Sequence, residues 1–229
     1  MTERDRVTVA AAACGLAGAI LFTLTCLVAG LFEPHFSFVD NATSDLGALT
    51  ARHAAPYNTA LSLSGVLTIG LGFALFRFLP RRPGAIIGAV LVGVFGVGQF
   101  IDGLAREDCA VSVNHACRAA ADAGRLSTHH QVHDGESLVT FSALLLAPVV
   151  LGFVFRSIPS LRGLAKWSFG ASAVEAVSLA VFLSLYNSDS SGVGVPEIIL
   201  LAAGVGWIAA IATVVICRDR PTSLTRSTA

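Results

Sequence analysis

Residues 127–137, STHHQVHDGES, hold three of the chain's six histidines beside two acids. His129 and His133 stand four apart, so on a helix their imidazoles share one face. His130 and Asp134 share a neighbouring face by the same rule. Such a histidine pair can give two nitrogens to Zn2+, with oxygen from Asp102, Asp45 or Glu136. Three protein ligands and one water would make a centre that activates water for hydrolysis. Two other arrangements remain open: a metal-free hydrogen-bonded network, and surface histidines with no shared role. The pair also lacks the glutamate of the His-Glu-x-x-His pattern.

Other residues bear on the same chemistry. Asp102 follows nineteen uncharged residues, Pro83–Ile101. A carboxylate at that depth needs a partner or a wet cavity, unless it anchors its helix end at the headgroups. Asp45 and Ser44 lie in FEPHFSFVDNATSDLGAL, where they can join the histidines or cap a short helix. Glu175 interrupts an apolar run near its middle, which expects an inward-facing or protonated side chain. It can line a substrate cavity, carry protons, or make an interhelical hydrogen bond. Cys109 and Cys117, eight residues apart in a polar segment, are expected to form a disulfide in an oxidising compartment. Cys14, Cys26 and Cys217 have no expected partner.

The elements that must position these groups are membrane helices. Hydrophobic residues make up 54% of the 229-residue chain and charged residues 13%. Soluble domains carry about 25% charge, so lipid must cover much of this surface. Six stretches approach or exceed the roughly 20 residues that span a bilayer. They are Val7–Phe32, Ala54–Phe76, Pro83–Ile101, Ser137–Phe155, Trp167–Ser188 and Ile198–Cys217. None alternates in polarity as a β-barrel strand would. The first is too long for a signal-peptide core and is expected to be retained.

With the N-terminus inside, the inner segments carry eleven basic residues, Arg4 to Arg226, against Arg52, Arg106, Arg118 and Arg125 outside. The positive-inside bias places both termini in the cytoplasm and the polar cluster outside; the expected location is the plasma membrane. The expected organisation is all-α: a polytopic bundle of six transmembrane helices forming one domain over 1–220, then a short disordered cytoplasmic tail at 221–229. Gly84-x-x-x-Gly88 permits close packing, within the chain or at a dimer face. A net charge of zero with no basic tract argues against a nucleic-acid partner. Membrane lipids are the expected partners, with a lipid-like or amphiphilic ligand at the polar cluster.

The six-span pattern, NATSDLGAL and HHQVHD together resemble a bacterial family, domain-of-unknown-function family 998, over roughly residues 8–217. Ser44, Asp45 and Gly47 carry the first motif, His129 and His133 the second. This resemblance implies the six-helix topology and no particular activity. In chemistry the set His129, His133, Asp102 or Asp45, and Ser44 is similar to the zinc site of membrane hydrolases of the alkaline ceramidase and adiponectin-receptor kind. Those have seven helices, and this chain lacks their further ligand histidine on another helix. The expected functions are a metal-dependent hydrolase of a lipid-like substrate at the outer face, a non-enzymatic lipid-binding or structural membrane protein, and a proton-coupled transporter using Glu175.

Overall fold

Apolar runs of this length must satisfy their backbone groups internally, and helices do so. A computed structural model describes residues 3–218. The tail at 221–229, expected to be disordered, lies outside the described residues. The helices are α1 (Glu3–Phe32), α2 (Ala54–Phe78), α3 (Pro83–Asp102), the short α4 (His115–Asp122), α5 (Thr128–Arg156), α6 (Arg162–Asn187) and α7 (Gly194–Cys217). Single 3-10 turns occupy Thr43–Gly47 and Pro159–Leu161. Among the described residues there is no β-sheet, and six helices are long and apolar enough to cross a membrane. The protein is an all-α polytopic bundle.

The six long helices form a closed ring. Each packs on its neighbour in sequence, with α3 meeting α5 directly, and α7 returns to α1. Leu144, Leu151, Phe155, Ile208 and Ile211 fill the interior, while Leu24, Leu31, Val139 and Phe153 face outward. Lipid is as apolar as these side chains, so interhelical packing must come from close fit. Gly65 and Gly96 supply it between α2 and α3: a Cβ on either would lie 2.5–2.8 Å from the other's carbonyl oxygen. Gly84 and Gly88 face Val154 and Leu151 of α5, so this pair packs within the chain.

Polar seams close the remaining gaps. Trp207 Nε1 donates to Ser168 Oγ at 2.9 Å, giving the indole a partner inside the bundle. Pro148 inside α5 removes one rung of the helix ladder. Nearby, Ser172 Oγ of α6 donates to the Leu145 carbonyl at 3.0 Å.

At one end of the ring three loops cover the helices. Residues 33–53 lie against the start of α7, where Gly194 N donates to the Val39 carbonyl at 3.0 Å. The second loop carries the Cys109–Cys117 disulfide and α4. Asn114 caps α4 by accepting from the Ala116 and Cys117 amides. Arg118 of α4 lies 4.2 Å over the Tyr186 ring and 3.5 Å from Asp189, on the third loop.

Candidate metal centre

α5 begins nine residues before its apolar run, so the whole histidine cluster is helical. Ser127 caps it, accepting from the His130 amide at 3.3 Å. Ser127 is itself held: its amide and hydroxyl each donate to Asp108 at 2.6 Å. Those two bonds keep the Asp108 carboxyl below its ordinary pKa. The Asp108 amide in turn donates to His130 Nδ1 at 3.1 Å, and His130 Nε2 lies 3.7 Å from Asp134. His130 is therefore buried as a pin between the second loop and the start of α5.

His133 occupies the centre. Its Nδ1 lies 2.8 Å from Asp102 Oδ1 and its Nε2 lies 3.0 Å from Glu107 Oε1. The Nδ1 contact lacks hydrogen-bond alignment, leaving that buried nitrogen without a hydrogen-bond partner. Glu136, three residues on, shares the face of His133. Asp102, His133 and Glu136 each offer a ligand atom, all within 4.8 Å of one another. Thr140 Oγ1 steadies Glu136 through a 2.7 Å hydrogen bond. A Cβ on Gly98 would overlap Thr140, so the bare glycine lets α3 and α5 close on the site. Asp102 ends α3, where the helix dipole is itself negative. A cation there would relieve both charges.

His129 shares the face of His133, as the spacing predicts, but it stands one turn further out at the start of α5. It is exposed and lies outside the ligand group. Of the expected histidine pair, the structure brings His133 together with Glu136 on α5 and Asp102 on α3, and leaves His129 outside that group.

Asp45 is buried on the first loop, accepting from Asn41 Nδ2 at 2.8 Å and from Ser112 Oγ. Burial, and then the charge of Glu107, raise its pKa to about 7 against those two hydrogen bonds. Ser44, Asp45, Asp102, Glu107, His133, Asp134, Glu136 and Glu197 all line one cavity of about 370 Å3. Its other wall is apolar, with Phe95, Leu138, Phe141, Leu179, Phe182 and Leu183. Glu175 is elsewhere: it is 1% exposed on α6, and among the described residues neither carboxylate oxygen has a hydrogen-bond partner.

A family model described as a protein of unknown function, DUF998, matches residues 16–214. The chain belongs to the DUF998 family. No curated protein and no solved structure matches it. The DUF998 match contains Asp102, His133 and Glu136 and both short motifs that suggested the family.

Glu107, Gln99 and Glu197 complete the site without having stood out in the sequence. Glu107 sat in a loop with other charges, and Gln99 within an apolar run. Glu197 immediately precedes the last apolar stretch, where an acid favours the N-terminal end of a helix dipole. Its two oxygens accept from the Thr43 amide at 2.6 Å and the Thr43 hydroxyl at 3.0 Å.

Proposed function

We propose that the chain is a membrane-embedded, metal-dependent hydrolase whose substrate is lipid-like. The observation that carries this function is the grouping of Asp102, His133 and Glu136 on the wall of a cavity that is acidic on one side and apolar on the other. One imidazole and two carboxylates suit a divalent cation such as Zn2+, with a position left for water. Two ligand atoms at about 2.1 Å from such an ion sit about 3.0–3.4 Å apart, close to the spacing of His133 Nδ1 and Asp102 Oδ1.

A bound cation would lower the pKa of that water and polarise the scissile carbonyl or phosphoryl oxygen. The protein's own groups supply the rest. Glu107 accepts from His133 Nε2 and so presents Nδ1 towards Asp102, the carboxylate–histidine arrangement of many metal sites. Asp45, with its pKa at about 7, can pass a proton to the leaving group near neutral pH. Ser44 lines the cavity and can orient the substrate oxygen. Phe141, Phe182 and Leu183 offer a hydrocarbon chain an apolar wall.

Two features support an outer-face site in the plasma membrane. The Cys109–Cys117 disulfide lies in the loop that carries Glu107, and disulfides persist in oxidising compartments. The excess of arginine in the segments at the opposite end agrees by the positive-inside bias.

The test is turnover by the purified full chain in nanodiscs, with Zn2+ or Mn2+ added or chelated, against lipids carrying ester, amide and phosphodiester bonds. Metal-dependent product that disappears in His133→Ala and Glu136→Gln is expected. Folded, metal-loaded protein that releases no product from any of the three bond types would overturn the hydrolase. A second function has its own observation: both His133 nitrogens face carboxylates, so a charged imidazolium could clamp Asp102 and Glu107 without metal. The protein would then hold an amphiphile without cleaving it, and chelation would leave ligand binding unchanged.

A further inference from the structure

Six carboxylates line the cavity, from Asp45, Asp102, Glu107, Asp134, Glu136 and Glu197. Among the described residues that line it, His133 is the one basic side chain, with no lysine or arginine beside it. Asp45, with its pKa raised to about 7, is only partly ionised near neutral pH, and a divalent cation with a charged imidazole offsets at most three of the remaining charges. Arg118 does not make up the difference, because it lies behind the Tyr186 ring and beside Asp189. An anionic headgroup entering this space would meet repulsion strengthened by the low dielectric around it.

The carboxylates differ in what already holds them. Both oxygens of Glu197 accept from Thr43. Asp102 and Glu136 belong to the metal group, and Asp134 is largely exposed beside His130. Glu107 is different: Oε1 meets His133, whereas Oε2 is buried with no hydrogen-bond partner, and the residue is only 7% exposed. An unpartnered buried carboxylate oxygen is costly unless a donor reaches it. Asp45 faces the same cavity, close enough for the charge of Glu107 to act on it.

We infer that the cavity takes a cationic amphiphile, with its ammonium group between Asp45 and Glu107 and its hydrocarbon chain along Phe141, Phe182 and Leu183. An ammonium carries its own N–H donors and needs no tight coordination shell. A second metal ion would need one, and among the described residues Asp45 and Glu107 belong to no group of metal-ligating spacing. As a substrate class this rests on the proposed hydrolase; as a binding site it does not.

The experiment therefore uses the full chain in nanodiscs with chelator present and measures binding alone. The probe is a long-chain primary amine carrying a mid-chain diazirine, competed by dodecylamine, dodecanol or dodecyl phosphate. Crosslinks are expected in residues 138–142 and 179–186, with dodecylamine competing about tenfold better than the alcohol or phosphate. Glu107→Gln should remove that advantage, and labelling by a matched alcohol probe reports whether the cavity is still formed. Asp45→Asn, whose amide oxygen can still accept from Asn41 and Ser112, provides the second variant. Equal competition by the three compounds, preference for the phosphate, or an amine advantage surviving both variants would each overturn the inference. So would displacement of the amine probe by Zn2+ in His133→Ala, which would assign the pair to a second metal. Absence of any amine preference in the parent chain alongside intact metal-dependent turnover would leave the hydrolase standing with a different substrate class.

Discussion

Glu107 reaches His133 Nε2 at 3.0 Å from the loop between α3 and α4, so a side chain outside the membrane helices fixes the central histidine of the bundle. The opposite ring nitrogen is thereby turned towards Asp102 and Glu136. Loss of such an outer carboxylate typically weakens metal binding 10- to 100-fold. Glu107→Gln should raise the Zn2+ dissociation constant by about that factor, measured by competition with a chromophoric chelator, while circular dichroism remains helical.

The disulfide acts on the same contact. Cys109 lies two residues after Glu107, and Asp108 between them caps the Ser127 end of α5. Replacing both cysteines by serine should cost about 2–4 kcal/mol of stability. It should also weaken Zn2+ binding, because the loop that presents Glu107 is released. Thermal unfolding and metal titration of Cys109→Ser/Cys117→Ser give both readouts; unchanged metal affinity would separate the loop from the site.

Much of this was legible in the sequence, for identifiable reasons. The six spans follow from apolar run length, and the disulfide from two cysteines confined to one polar loop. His133 and Asp102 drew notice because each is polar beside a long apolar run. Helical spacing alone did not select the side chains that the structure groups. His129 and His133 do share a face, but depth along the axis also matters, and four residues are about 6 Å. That puts His129 in the open, while Glu136 lies level with the end of α3. Glu107 depended on a loop path fixed by long-range contacts, such as the Leu49 amide donating to the Glu107 carbonyl at 2.8 Å. No local pattern encodes such a contact.

Close approach at Gly98 gives a packing test. Gly98→Ala must push against Thr140, which holds Glu136. Overpacking of this kind costs about 1–3 kcal/mol. A lower melting temperature with weaker metal binding is expected, and Thr140→Ala, which removes the hydroxyl that the new methyl meets first, should partly restore the melting temperature without restoring the hold on Glu136.

Asp45 and Asp108 set opposite pH dependences. Asp45 has a folded pKa of about 7 against an ordinary 3.8, so its contribution to stability is full below 3.8 and is lost as pH rises through about 7. Asp108 has a lowered folded pKa, so its contribution is present above 3.8 and is lost as pH falls through the folded value. Asp45→Asn should flatten the fall in melting temperature between about pH 4 and pH 7, whereas Asp108→Asn should blunt the loss at lower pH. Melting curves across that range check both.

Glu175 separates the hydrolase from proton-coupled transport. Its carboxylate is buried on α6 with no hydrogen-bond partner among the described residues, and it lies outside the lining of the cavity. Glu175→Leu should raise the melting temperature, since it replaces an unpaired polar group by an apolar one. Metal binding should be unaffected. Proton-driven substrate movement abolished by Glu175→Gln would favour the transporter instead.

Metal content tests the central claim most directly. The full chain is purified without chelator, reconstituted with Zn2+, freed of excess ion, and analysed beside His133→Ala and His129→Ala. Near one equivalent of metal should remain in the parent protein and in His129→Ala, and almost none in His133→Ala. A folded parent protein that retains no metal, or a His133→Ala variant that retains as much as the parent, would contradict a centre built from Asp102, His133 and Glu136.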